Sequence, residues 1–115
     1  MAIDLPVNRV PVAVAALGSL TITWPAIPAG QRGVVTAIGV SSDDFANTRI
    51  TTRVNGVAVA PYILIIGTVG DLATPTSLAV PILLGTADVF SLLIENLDAA
   101  LAHNMAGRTV GWRAA

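Results

Sequence analysis

Residues 86–107 read TADVFSLLIENLDAALAHNMAG, and the reading of this stretch decides the fold of the chain. Phe90, Leu93, Ile94, Leu97 and Leu101 fall on one helical stripe, with Asp88 placed to cap its start and Gly107 its end. The competing reading makes Val89 to Glu95 a strand, Asn96-Leu97-Asp98-Ala99 a turn, and Met105 to Trp112 a final strand. The strand reading is preferred. Val89-Phe90 opens it with strong β-formers, and the strands before it would otherwise lack their closing partners.

Those earlier strands are read from alternation. Leu20, Ile22 and Trp24 fall on one side and Thr21 and Thr23 on the other, and Pro25 and Pro28 close the run. Pro28-Ala29-Gly30-Gln31 is turn chemistry, after which Val34, Thr36, Ile38 and Val40 are expected to share the face of a second strand. Ser41-Ser42-Asp43-Asp44 is a loop, followed by a third strand with Ile50, Thr52 and Val54 against Arg49, Thr51 and outward Arg53. Asn55-Gly56 then marks a hairpin, because both central residues of a type I′ turn need positive φ.

The apolar run Tyr62 to Ile66, introduced by Pro61, reads as a strand buried on both faces. Gly67 to Ser77 is a loop. Leu78, Val80, Ile82 and Leu84 then alternate with Ala79, Pro81 and Leu83, and Pro81 makes that strand an edge or a bulged one. Turn signals spaced roughly ten residues apart belong to a sandwich or barrel. The expectation is an all-β fold: one antiparallel β-sandwich domain over residues 18–115, preceded by an extended arm over residues 1–17. The arm carries Pro6 and Pro11 and no charge after Arg9, so it is expected to lie on a neighbouring subunit or insert into a surrounding lattice, adding a strand by edge pairing. The alternative is an edge strand of its own sandwich.

Composition limits what such a domain does. With 115 residues and 11.7 kDa the chain holds one core. It is 54% hydrophobic and 11% charged, less than half the ~25% charge of an ordinary soluble domain. Much of its exterior is therefore expected to be covered by other copies, by partners or by lipid. Six Arg, no Lys, seven acids and a net charge of -1 create no field that gathers phosphates, so no nucleic-acid partner is expected. Arg in place of Lys suits protein interfaces, and codon bias gives the same pattern. Three uncharged stretches (Val10 to Gln31, Val54 to Gly70, Leu72 to Ala87) are broken by proline, glycine and asparagine, so no membrane span is expected. Asp4 and Pro6 are wrong for a signal peptide, and the absence of cysteine excludes disulfides and thiolate chemistry.

No residue pattern names a reaction. His103 is the only histidine; a triad with Ser91 and Asp98 can be written, but no nucleophile elbow supports it, and the default is a hydrogen-bonded loop or interface histidine. Asp43-Asp44 suits a hard cation but lacks calcium-loop spacing, so a solvated turn is preferred. Asp71, Asp88, Glu95 and Asp98 form no glycosidase pair, and no phosphate-binding glycine loop occurs. Trp24, Tyr62 and Trp112 suit a sugar-stacking platform, with core or interface anchoring the preferred role. No catalytic, cofactor-binding or metal residue is nominated, no cofactor is expected, and the chain is expected not to be an enzyme.

Ile27-Pro28-Ala29-Gly30, Ile38-Gly39-Val40-Ser41, Arg53-Val54-Asn55-Gly56-Val57, Ile94-Glu95-Asn96-Leu97-Asp98 and Val110-Gly111-Trp112 occur in that order. In this the chain resembles small jelly-roll virion proteins of tailed bacteriophages, of the capsid decoration or head-fibre type, over roughly residues 18 to 113. The resemblance implies a jelly-roll sandwich that assembles as a homo-oligomer, a trimer favoured, on the capsid surface, bound to the major capsid protein or another virion protein. It carries over no catalytic residue, and Ala99-Ala100-Leu101-Ala102 departs from it where a glycine-containing turn is expected. The rival reading is a carbohydrate- or receptor-binding β-sandwich module of a virion or cell surface.

Overall fold

Asn55 and Gly56 adopt φ of +54° and +80°, so the hairpin expected from this dipeptide forms, and it joins two of the ten strands found among the described residues. The computed structural model describes residues 3, 4, 7–67, 69, 70 and 72–115; the sequence readings of Pro6 and Asp71 lie outside them. In chain order the strands are β1 (Ile3–Asp4), β2 (Val7–Val14), β3 (Ser19–Thr23), β4 (Arg32–Ser42), β5 (Thr48–Val54), β6 (Val57–Ala58), β7 (Ile65–Ile66), β8 (Thr76–Leu84), β9 (Phe90–Asn96) and β10 (His103–Ala114). A 3₁₀ turn, Phe45–Asn47, precedes β5.

The strands make two antiparallel sheets packed face to face. One runs β2-β10-β4-β8, with β1 continuing β2 along the same edge of β10; the other runs β3-β9-β5-β6, with β7 also on β5. Successive long strands cross from one sheet to the other, which is the winding of a jelly roll. Residues 86–107 take the strand reading. β9 lies between β3 and β5, and β10 between β2 and β4, so each is the central partner of its sheet. Leu92 and Ile94 face the core from β9, while Leu93 faces outward, an alternation that a helix cannot produce.

The core lies between the sheets: Leu20, Ile22 and Trp24 from the β3 segment meet Phe90, Leu92, Ile94 and Met105 there. Two glycines of β10 make this packing possible. A Cβ at Gly107 would run into the Cδ1 of Ile22, and one at Gly111 into the Trp24 ring and the Val34 carbonyl.

Bulges correct the simple alternation. Thr36 is skipped in both of β4's ladders, so Val35, Ile38 and Val40 face the core, and Val34 turns outward rather than sharing their face. On β8, the five steps from Ser77 to Ile82 span the two from Ala37 to Val35, so the chain loops out around Pro81. This strand is both at the edge and bulged, and it leaves Val80 73% exposed instead of in line with Ile82. Pro11 falls where β2 slips by one residue against β10, an edge position that needs no ladder donor.

Two further expectations are corrected. Residues 7–14 of the arm pair with β10 of their own chain, with Val12 opposite Met105, so this segment is the intramolecular edge strand. Tyr62 to Ile66 is not a strand buried on both faces. Only Ile65 and Ile66 pair, along β5, Leu64 turns through a φ of +54°, and no third layer among the described residues covers Ile63 to Ile66, which stay exposed. No helix among the described residues is long and apolar enough to cross a membrane.

Candidate functional site

The winding puts the β2–β3, β4–β5 and β9–β10 loops at one end of the sandwich, and there the charged side chains gather around His103. Its Nδ1 lies 2.7 Å from Asp43 Oδ1, and its Nε2 2.8 Å from Asp98 Oδ2 and 3.2 Å from Asp44 Oδ2. Ionised carboxylates only accept, so both short bonds together require a doubly protonated ring. The bond to Asp98, joined by that to Asp43, holds the imidazole pKa above its usual 6.5. The Asn104 N–H on Asp43, with His103 in support, holds that carboxyl below its usual 3.8, and His103 followed by the Ala100 N–H does the same for Asp98.

Backbone chemistry places each group. Asp98 Oδ1 accepts from the N–H groups of Ala100 and Leu101, an Asx turn that does the work expected of a glycine in the Ala99–Ala102 run. Asp43 exchanges bonds with Asn104, accepting its N–H at Oδ2 and donating its own N–H to the Asn104 carbonyl. Asp44 Oδ2 accepts from Asn47 Nδ2. Beneath the cluster, the buried amide of Asn96 donates to the carbonyls of Val14, Ala15 and Leu101 and accepts from the Asp98 N–H, tying three loop ends together.

Asp43-Asp44 is thus more than the solvated turn expected of it, since both carboxylates turn to named partners. The donor atoms of Asp44, Asp98 and His103 lie within 4.8 Å of one another, the spacing of an ion-pair cluster whose positive member is the imidazolium. The Ser91–His103–Asp98 triad does not assemble. Ser91 sits at the far end of β9, roughly 17 Å of strand from Asn96, and Asp43 occupies the ring nitrogen a serine would need. The aromatic platform does not assemble either: Trp24 is in the core, Tyr62 packs partly buried against it, and Trp112 stands on an outer face. Asp88 serves the opposite end, where bonds from Asn55 and then the Gly85 N–H lower its pKa. That end also holds a cleft of about 560 Å³ lined by Gly30, Gln31, Arg32, Gly85, Thr86 and Ala115.

The outer faces of the two sheets are both mixed, in different ways. Over β3, β9 and β5, Thr21, Thr23 and Ser91 accompany Arg49, which grips Glu95 through Nε–Oε1 at 3.0 Å and a second nitrogen on Oε2 at 2.8 Å, with outward Leu93 and exposed Ile66 beside them. Over β10, β4 and β8 the register lines up Trp112, Val34 and Leu83 in one row, with Val110 and Ala37 paired beside it. Trp112 is 41% and Leu83 78% exposed, and Val34 between them is buried at 6% exposure. Sequence reasoning missed this row because the Thr36 bulge decides which valine faces out. No family model matches the chain, and no curated protein matches it.

Proposed function

We propose that the chain is a non-enzymatic structural protein of a virus particle. It forms a homo-oligomer, a trimer favoured, that decorates the capsid surface and stabilises it by binding the major capsid protein or another virion protein. One observation carries this reading: Trp112 and Leu83 stand exposed in one row on an outer sheet face, with Val34 between them. A domain with 11% charged residues and large apolar side chains exposed on its sheet faces has that surface to give to protein contacts. The exposed Ile63–Ile66 segment beside β5 adds a second apolar surface on the other sheet. An oligomer then multiplies weak capsid contacts through effective concentration and adds its binding energy to shell stability.

The test is the native particle. Cryo-EM of particles purified from the source should show jelly-roll density on the outer capsid surface, lost when the chain is deleted and restored on adding it back. Particles without that density, with all of the chain in the particle-free fraction, would contradict the proposal.

A further inference from the structure

We propose that His103 is a protonation-gated latch between the β4–β5 and β9–β10 loops, and that it is the Asp43 limb which opens when the ring gives up a proton. The doubly protonated ring donates from Nδ1 to Asp43 at 2.7 Å and from Nε2 to Asp98 at 2.8 Å, so one imidazolium bridges two loops 55 residues apart in sequence. A neutral imidazole keeps one N–H. Two carboxylates, those of Asp98 and Asp44, face Nε2, and one faces Nδ1, so the remaining proton stays on Nε2. The Nδ1 lone pair then points at the Asp43 carboxylate, and attraction becomes repulsion.

The anchoring of the two limbs agrees. Asp98 has a side chain 18% exposed, with its second oxygen held by two backbone N–H groups; Asp43 is 50% exposed, with its second oxygen held by one. Among the described residues, the charged groups facing the ring are Asp43 and Asp44 from the β4–β5 loop and Asp98 from the β9–β10 loop. The adjoining Ala15–Gly18 loop and Phe45–Asn47 turn contribute none. Deprotonation therefore takes the local charge from −2 to −3, and the repulsion is relieved through the more exposed limb. That limb leads directly into Phe45, whose ring is exposed at the same end, so the latch sets how firmly this apolar side chain is presented.

Nitrogen-15 NMR of the whole chain, read with amide exchange across the same pH range, tests the latch without any substitution. The expected result is a His103 midpoint above 6.5, an Nε2–H tautomer beyond it, and exchange at residues 43–47 that rises through that midpoint beyond intrinsic base catalysis while residues 98–102 stay protected. Asp43→Asn should lower the midpoint and abolish the exchange step. A midpoint at or below 6.5, an Nδ1–H tautomer, both loops opening together, or no change in exchange at 43–47 would overturn the proposal.

Discussion

The indole Nε1–H of Trp24 donates to the hydroxyl of Thr109 at 2.7 Å, a buried hydrogen bond between the two sheets that joins residues 85 apart in sequence. Phe90 meets the same indole edge-on, with centroids 5.6 Å apart. The largest core side chain is thereby oriented by one polar contact and one aromatic contact. Thr109→Val removes the acceptor at constant shape and should cost about 1–3 kcal/mol, whereas Thr109→Ser should recover most of the loss. Urea unfolding at unchanged m-value checks both.

Gly111 lies beside that indole, and an added methyl would meet the Trp24 ring and the Val34 carbonyl, neither of which has room to retreat. Gly111→Ala should destabilise by about 1–3 kcal/mol and shift the Trp24 emission, read by denaturation followed through tryptophan fluorescence.

Asn96 is 1% exposed and holds three carbonyls and one N–H of the loop end. Asn96→Ala should lose at least about 1–3 kcal/mol, because several buried backbone groups are left unpaired at once. Hydrogen exchange should show the loss concentrated at residues 15–18 and 97–102.

Stability should peak between the histidine and carboxylate titrations. The folded pKa of His103 is raised, so its contribution is fully present below pH 6.5 and disappears as pH rises through the folded value. Those of Asp43, Asp88 and Asp98 are lowered, so their contribution is present above pH 3.8 and disappears as pH falls through the folded values. Tm measured across pH should decline on both sides of that window. His103→Gln should flatten the alkaline decline and leave the acid decline carried by Asp88 in place.

What the sequence made legible was local. The Asn55-Gly56 turn, the Leu20–Trp24 alternation and the strand character of Val89 to Glu95 depend on neighbours two to five residues away, and all three stand in the structure. The bulges at Thr36 and around Pro81 depend on the partner strand's register, so Val34 and Val80 leave the faces that simple alternation assigns them. Tyr62 to Ile66 was read as core because its composition is that of a core; its exposure follows from the absence of a layer outside β5. The His103 cluster was half visible. Asp98 lies five residues away, but Asp43 is 60 residues distant, and the two meet because jelly-roll winding brings their loops to the same end.

If the proposed function holds, the face that carries Trp112 and Leu83 is covered by protein, first of all by further copies of this chain. Sedimentation equilibrium of the purified chain at micromolar concentration, without detergent, tests it most directly. The expected mass is a whole multiple of 11.7 kDa, threefold favoured, and it should fall towards the monomer in Leu83→Glu while circular dichroism stays β-rich. A stable 11.7 kDa monomer, or an oligomer that Leu83→Glu leaves intact, would contradict it.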